Sequence, residues 1–180
     1  LAWPNRPVIL LTGAQGGIGR HVARHLAARH KARLVLVGRS STGLDTEALI
    51  TDLRTGGGDG SYVQADVSDP SGAQAAVEAA RARFGRIDAV LHAAGVRRDG
   101  YLLHQAEQGL GAVLAPKLAG TVALHRATAA EDLVCFACFS SVAGWFGNAG
   151  QGAYAAANRF QDAFMAARTG PGRSLSIAWP

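Results

Sequence analysis

The sequence predicts an α/β fold in which a parallel sheet is covered by helices on both faces, and three features carry that prediction. Residues 8–11, 34–37 and 133–139 are short apolar runs, segments of ten or more residues with apolar side chains at helical spacing separate the runs, and a glycine-rich turn directly follows the first. Continuous apolar strands imply burial on both faces, and parallel neighbours need a right-handed crossover, usually a helix, to bring the chain back to the same end of the sheet. With 180 residues, 48% hydrophobic and 17% charged, the chain can bury the core of one domain.

The first strand, residues 8–11, ends at Thr12-Gly13, and Ile18, Val22 and Leu26 then recur at helical spacing, so the glycine-rich segment joins strand to helix. Residues 34–37 form the second strand. Asp45 is the expected cap of a helix carrying Leu49 and Leu53, and Gly56-Gly57-Gly58 breaks that helix before a strand around Tyr62 and Val63. Asp69-Pro70 opens the next helix with a cap acceptor followed by proline at the first helical position; its apolar stripe runs through Ala73, Val77 and Phe84, and Gly85 closes it. Strands at 87–91, 133–139 and 174–179, with helices over about 104–128 and over 151–168, complete the alternation. The architecture is doubly wound. Such sheets bind ligands at the carboxyl ends of their strands, where this chain places residues 13–19, Arg39, Asp66, residues 92–95 and Ser140-Ser141.

Charge and cysteine usage narrow the function classes. The formal net charge is +5, but the sixteen Arg and two Lys are dispersed and not interleaved with aromatics, which argues against nucleic acid as a partner. A modest positive field equally suits an acidic protein or a phosphorylated cofactor. Cys135 and Cys138 have the spacing of a redox or zinc motif, yet they fall within a predicted strand whose alternation sends them to opposite faces, so burial in a reducing cytoplasm is expected. His21 and His25 lack a third ligand and read as a solvated helix face, and no metal is expected. No apolar run approaches the roughly 20 residues of a membrane span. The chain starts at Leu1-Ala2-Trp3-Pro4 without Met and stops just after its sixth strand, as expected of a fragment of a larger multidomain polypeptide.

Residues 12–19 read Thr-Gly-Ala-Gln-Gly-Gly-Ile-Gly. Small residues let the backbone approach a pyrophosphate, and the helix that follows offers unpaired N–H groups and the positive end of its dipole. No Lys-Ser/Thr pair follows, which disfavours a nucleoside triphosphatase. Arg39 ends the second strand, where an acidic residue would accept a ribose 2′-hydroxyl; a guanidinium instead suits a 2′-phosphate, hence NADPH. Tyr154 and Asn158 stand one helical turn apart, with Ser141 thirteen residues upstream of the tyrosine.

These motifs, with Gly-Arg-Ser at 38–40, Ala-Asp-Val-Ser-Asp at 65–69, His-Ala-Ala-Gly at 92–95, Phe-Ser-Ser at 139–141 and Gly-Gln-Gly-Ala-Tyr-Ala-Ala-Ala-Asn at 150–158, cover nearly the whole chain. The chain resembles a short-chain dehydrogenase/reductase and, within that superfamily, the ketoreductase domain of modular polyketide and fatty acid synthases. Most free-standing members carry Lys four residues after the Tyr; Asn158 there, with Lys117 on the preceding helix, resembles the synthase type. The resemblance implies a Rossmann-type fold and NADPH-dependent reduction of a β-ketoacyl thioester on the phosphopantetheine arm of an acyl carrier protein, beside other domains of the same synthase. It further implies that Tyr154 donates a proton to the developing alkoxide, that Lys117 stabilises the phenolate and relays a replacement proton, that Ser141 orients the carbonyl, and that Asn158 holds Lys117 or a relay water. The cofactor would contact Thr12, Gly13, Gln15, Gly16, Gly17, Ile18, Gly19, Arg39, Ser40, Asp66, Val67, His92, Ala93, Ala94 and Gly95.

Stereocontrol is read from Asp99, Phe146 and Gln151. B-type ketoreductases carry Leu-Asp-Asp where this chain has Arg97-Arg98-Asp99, and A-type enzymes carry Trp where it has Phe146, with Trp145 beside it. The resemblance therefore favours the B type and a D-hydroxyl, and Ala156, where proline would signal epimerisation, signals none. Arg97 and Arg98 suit an acidic carrier protein. The alternative to a reductase is a ketoreductase-like domain kept as an epimerase or structural spacer.

Overall fold

The computed structural model describes residues 2–101 and 107–180. Six parallel strands form one sheet: β1 (Val8–Thr12), β2 (Arg33–Gly38), β3 (Asp59–Gln64), β4 (Ala89–His92), β5 (Cys135–Ser141) and β6 (Arg173–Trp179), in the order β3-β2-β1-β4-β5-β6. The order reverses between β1 and β4, where Thr12 pairs with His92, and a crevice opens there above the carboxyl ends. This is the expected doubly wound Rossmann-type sheet.

Strand alternation divides the core into two layers. Ile9, Leu11, Leu34 and Leu36 face α1 (Gly17–His30) and α2 (Leu44–Thr55) through Ala23, Leu26, Leu49 and Leu53. Leu10, Val35, Val90 and Phe136 face α3 (Pro70–Phe84), α4 (Glu107–Ala127) and α6 (Gly152–Ala167) through Ala76, Val77, Leu124 and Met165. Cys135 belongs to the first layer and Cys138 to the second, as a separation of three residues along a strand requires. His21 and His25 are exposed on α1.

Local signals set most element ends. Asp69 caps α3, its carboxylate accepting the Ser71 N–H at 2.9 Å, and Gly85 closes the helix in the left-handed conformation. The expected cap of α2 needs correction. Gly43 is the cap, and Asp45 lies inside the first turn, where it complements the helix dipole and pairs with Arg20 at 3.0 Å. The start expected for α4, near His104, lies outside the described residues. A four-residue helix, α5 (Ala143–Phe146), interrupts the connection from β5 to α6, and the expected reading of that segment contained no helix. No helix among the described residues is long and apolar enough to cross a membrane.

Candidate active site

The glycine turn is shaped from both sides. A side-chain carbon at Gly13, whose φ is +70°, would meet the Ala93 carbonyl oxygen at 2.5 Å, and one at Gly19 would strike the Gly13 backbone. These two glycines are therefore sealed against protein, which brings β1, β4 and α1 close together. Gly17 differs: nothing lies within 4 Å of its missing side chain. α1 begins there, with Gly16 as a cap that offers no side-chain acceptor and no acidic residue in the first turn, so no side chain caps its leading N–H groups. A dinucleotide pyrophosphate fits this cradle. Gln15 anchors the turn to α2 by donating to Thr46 Oγ1 at 3.0 Å.

Two cavities share Gly95 and Val96 and lie on either side of the switch point. One runs over β1, β2 and β3, past Gly13, Arg39, Ser40, Asp66 and Val67. The other runs over β4, β5 and β6, past Ile18, Ala93, Lys117, Tyr154 and Trp179. Arg39 and Ser40 are exposed at the rim, but their backbone is pinned: Gln64 Nε2 donates to the Arg39 carbonyl at 3.1 Å, and the Tyr62 hydroxyl to the Ser40 carbonyl at 2.6 Å. His92, one of the expected cofactor contacts, lies beneath the crevice, fully buried and outside the lining of both cavities. Its Nε2 is 2.9 Å from the Pro116 carbonyl, which can only accept, so Nε2 carries the proton and Nδ1 accepts from Thr12 Oγ1 at 2.7 Å. Thr12 Oγ1 in turn accepts the Ala94 N–H at 3.2 Å. Burial, aided by the nearby Lys117 charge, pushes the imidazole down to about 3 and keeps it neutral.

Lys117 is the next residue after Pro116 on α4 and is only 4% exposed. Its ammonium donates to the Phe139 carbonyl at 2.7 Å and to Gln161 Oε1 at 2.9 Å, and it lies 5.9 Å from the centre of the Tyr154 ring. Desolvation pushes the amine down to about 8, against the opposing influence of Cys138 and Asp162. A side-chain carbon at Gly95 would meet Lys117 Cε at 3.0 Å, so the bare backbone there makes room for the lysine stem. Asn158 is fully buried and donates to the Tyr154 carbonyl at 2.8 Å, while its Oδ1 accepts no hydrogen bond among the described residues. Asn158 was expected to hold Lys117 or a relay water; the side-chain amide that Lys117 meets in the fold is that of Gln161.

A third cavity holds Ser141, Phe146, Gln151, Arg97 and again Tyr154. Ser141 Oγ accepts the N–H of Ala143, the first residue of α5, at 3.2 Å, which leaves the hydroxyl proton to donate elsewhere. Gln151 donates to Asp99 at 3.2 Å and accepts from Asn148 at 3.1 Å, joining the loop after β4 to the turn before α6. Trp145 packs instead under the Arg159 guanidinium at 4.3 Å.

Comparison with known proteins shows what this geometry belongs to. Residues 7–180 match the family described as the KR domain. The chain belongs to that family. It is a ketoreductase domain of the polyketide synthase type, within the short-chain dehydrogenase/reductase superfamily, and its fold implies a nicotinamide cofactor. It is 42% identical over 174 residues to polyketide synthase GfsB of Streptomyces halstedii, covering 95% of this chain and 3% of that protein. Against polyketide synthase PksM of Bacillus subtilis the identity is 37% over 173 residues, covering 95% of this chain and 4% of the relative. The crystal structure of an N-terminal ketoreductase from the macrolactin assembly line superposes with a TM-score of 0.97 at 35% identity, covering all of this chain and 38% of that one.

Sequence reasoning about this ketoreductase domain missed two residues that touch its buried centre. Gln161 lies seven residues after Tyr154, at a spacing that ordinarily reads as an apolar core position, and Thr121 lies four after Lys117. The only sequence signal was a polar residue on the inward stripe of α6. Trp179, quoted only as part of the last strand, walls the cavity beside Phe139, with ring centres 6.4 Å apart.

Proposed function

We propose that this domain reduces a β-ketoacyl thioester, presented on the phosphopantetheine arm of an acyl carrier protein, to the β-hydroxyacyl thioester with NADPH, giving the D-hydroxyl during polyketide chain elongation. One observation carries the reading. Tyr154 lines both the cavity that contains Lys117 and the cavity that contains Ser141, and the first of these continues into the cleft above the glycine turn. A reduced nicotinamide bound in that cleft supplies the hydride. Ser141, one of its lone pairs engaged by the Ala143 N–H, donates its hydroxyl proton to the substrate carbonyl and holds it in place. Tyr154 gives its phenolic proton to the developing alkoxide, and the Lys117 ammonium stabilises the phenolate left behind. Asn158 Oδ1 is an acceptor suited to a relay water that returns the proton.

Arg39 supports NADPH as the cofactor, because a pinned backbone presents an exposed guanidinium at the end of the cleft where a 2′-phosphate would sit. Phe146 at the A-type tryptophan position and the Asp99–Gln151 bond beside Tyr154 support the B-type outcome. The small share of each relative that the chain spans supports a place among other synthase domains, and the buried free thiols Cys135 and Cys138 fit a reducing cytoplasm. Tyr154→Phe is expected to lower turnover with a β-ketoacyl thioester by at least about a hundredfold while leaving NADPH binding intact. Retained turnover would end the proton-donor assignment. An unsubstituted chain that binds NADPH but never oxidises it would establish the non-reducing alternative.

A further inference from the structure

The buried amide of Gln161 closes a ring with Lys117. Lys117 Nζ donates to Gln161 Oε1 at 2.9 Å, Gln161 Nε2 donates to Thr121 Oγ1 at 3.2 Å, and Thr121 Oγ1 donates back to the Lys117 carbonyl. An ammonium can only donate, so the orientation of the amide follows from chemistry. Gln161 and Thr121 are both 0% exposed. Burying a primary amide is costly unless its groups are paired, and among the described residues this one bonds Lys117 and Thr121, itself bonded to Lys117. Leucine would pack at such a position without that cost.

We infer that Gln161, braced by Thr121, is a positioning residue that fixes the Lys117 ammonium in the cavity it shares with Tyr154. The inference rests on the reductase reading above and goes beyond it. Two of the three ammonium protons go to Phe139 and Gln161, which leaves one for the cavity. Among the described residues, the charged and titratable groups around the amine are Cys138 on β5, His92 on β4, and Asp162 and Tyr154 on α6. His92 and Cys138 are neutral at working pH, since burial pushes the imidazole down to about 3 and the thiol up to about 12. Gln161 thus supplies a directed acceptor that adds no charge beside Lys117, whose ammonium already feels the Asp162 carboxylate electrostatically.

The test is the pH dependence of kcat for the full chain with NADPH and a β-ketoacyl thioester, alongside NADPH affinity and thermal unfolding. Gln161→Leu removes an acceptor from the charged form, so the alkaline limb should move down by about one pH unit, and at about pH 9 kcat should fall roughly tenfold. Gln161→Glu should move the limb the other way by a similar amount, because an anion favours the ammonium. Thr121→Val, which deprives the amide of its brace, should shift the limb in the same direction as Gln161→Leu and serves as the second probe if that variant fails to fold. NADPH affinity should change by less than about twofold in each. Unshifted pH profiles, or a loss of kcat by the same factor at every pH, would overturn the inference. Lys117→Met, run in parallel, separates the two ideas. If it is inactive while the Gln161 variants behave as wild type, only the positioning role falls; if it remains active, the reductase assignment of Lys117 falls as well.

Discussion

Two buried polar networks meet at adjacent residues of α4, and their contrast separates structure from chemistry. The network of His92 ends on the Pro116 carbonyl: it is neutral, both ring nitrogens are bonded, and it ties β1, β4 and α4 together. The network of Lys117 begins one residue later and carries a charge. Its neighbours on α6 include two buried acceptor atoms, Asn158 Oδ1 and Asp162 Oδ2, that accept no hydrogen bond among the described residues. A fully satisfied network rigidifies a fold, whereas a charged and incompletely satisfied one is costly unless it acts on something else. The same burial therefore has two different purposes on either side of one peptide bond.

Substitution can break that contrast. The largest expected effect is from Lys117→Met, which should lower kcat by about a hundredfold or more at neutral pH while the denaturant midpoint stays near that of the unsubstituted chain. In the unsubstituted chain, kcat should fall as pH rises past about 8, where the amine loses its proton. Stability should move oppositely over that range. The unfolded lysine holds its proton up to about 10.5, so between the two values the unfolded state binds more protons and unfolding becomes less favourable as pH rises. Measuring turnover and urea midpoints across the same buffers checks both signs.

His92→Phe should do the reverse. Leaving Thr12 and the Pro116 carbonyl without their partner should cost about 2–4 kcal/mol of stability, while kcat of the folded fraction changes by less than about threefold. The imidazole also sets an acid limit: as pH falls from 6.5 toward 3, unfolded chains protonate the ring before folded chains do, and stability declines through that window. A urea midpoint that is flat from about pH 6.5 to 4, or that falls equally in His92→Phe, would deny His92 this role. The smallest change expected here is at the rim, outside both networks. Arg39→Asp should weaken NADPH by roughly tenfold relative to NADH and leave stability alone, and titrating both cofactors by fluorescence reads the ratio.

Legibility in the sequence followed the range of the interactions. Residues 8–11 and 34–37 were readable as strands because a strand buried on both faces is apolar throughout, and Asp69-Pro70 and Gly85 marked α3 because caps act within a few residues. Asp45 was misplaced by two positions for a related reason: an acidic residue serves equally as a cap or in the first turn, and only the backbone at Gly43 distinguishes the two. α5 escaped because four residues carry no periodicity. Tyr154, Ser141 and Lys117 were found through motifs. Their shared cavities, and the bond from Gln151 to Asp99 across 52 residues, were not in any local pattern.

By itself, the sequence determined the α/β alternation, the glycine-rich turn between the first strand and helix, the opposite faces of Cys135 and Cys138, and the set of groups available for catalysis, since each depends on propensity, composition or periodicity within one short segment. The tertiary structure alone decided which buried partner each polar group receives. Lys117 is held by Gln161, 44 residues away, and not by Asn158, because packing α4 against α6 brings the i+7 residue of the tyrosine stripe to the ammonium and turns the i+4 residue onto its own helix backbone. A hydrogen bond needs contact within about 3 Å, and contacts between distant segments exist only once the sheet has set the helices side by side.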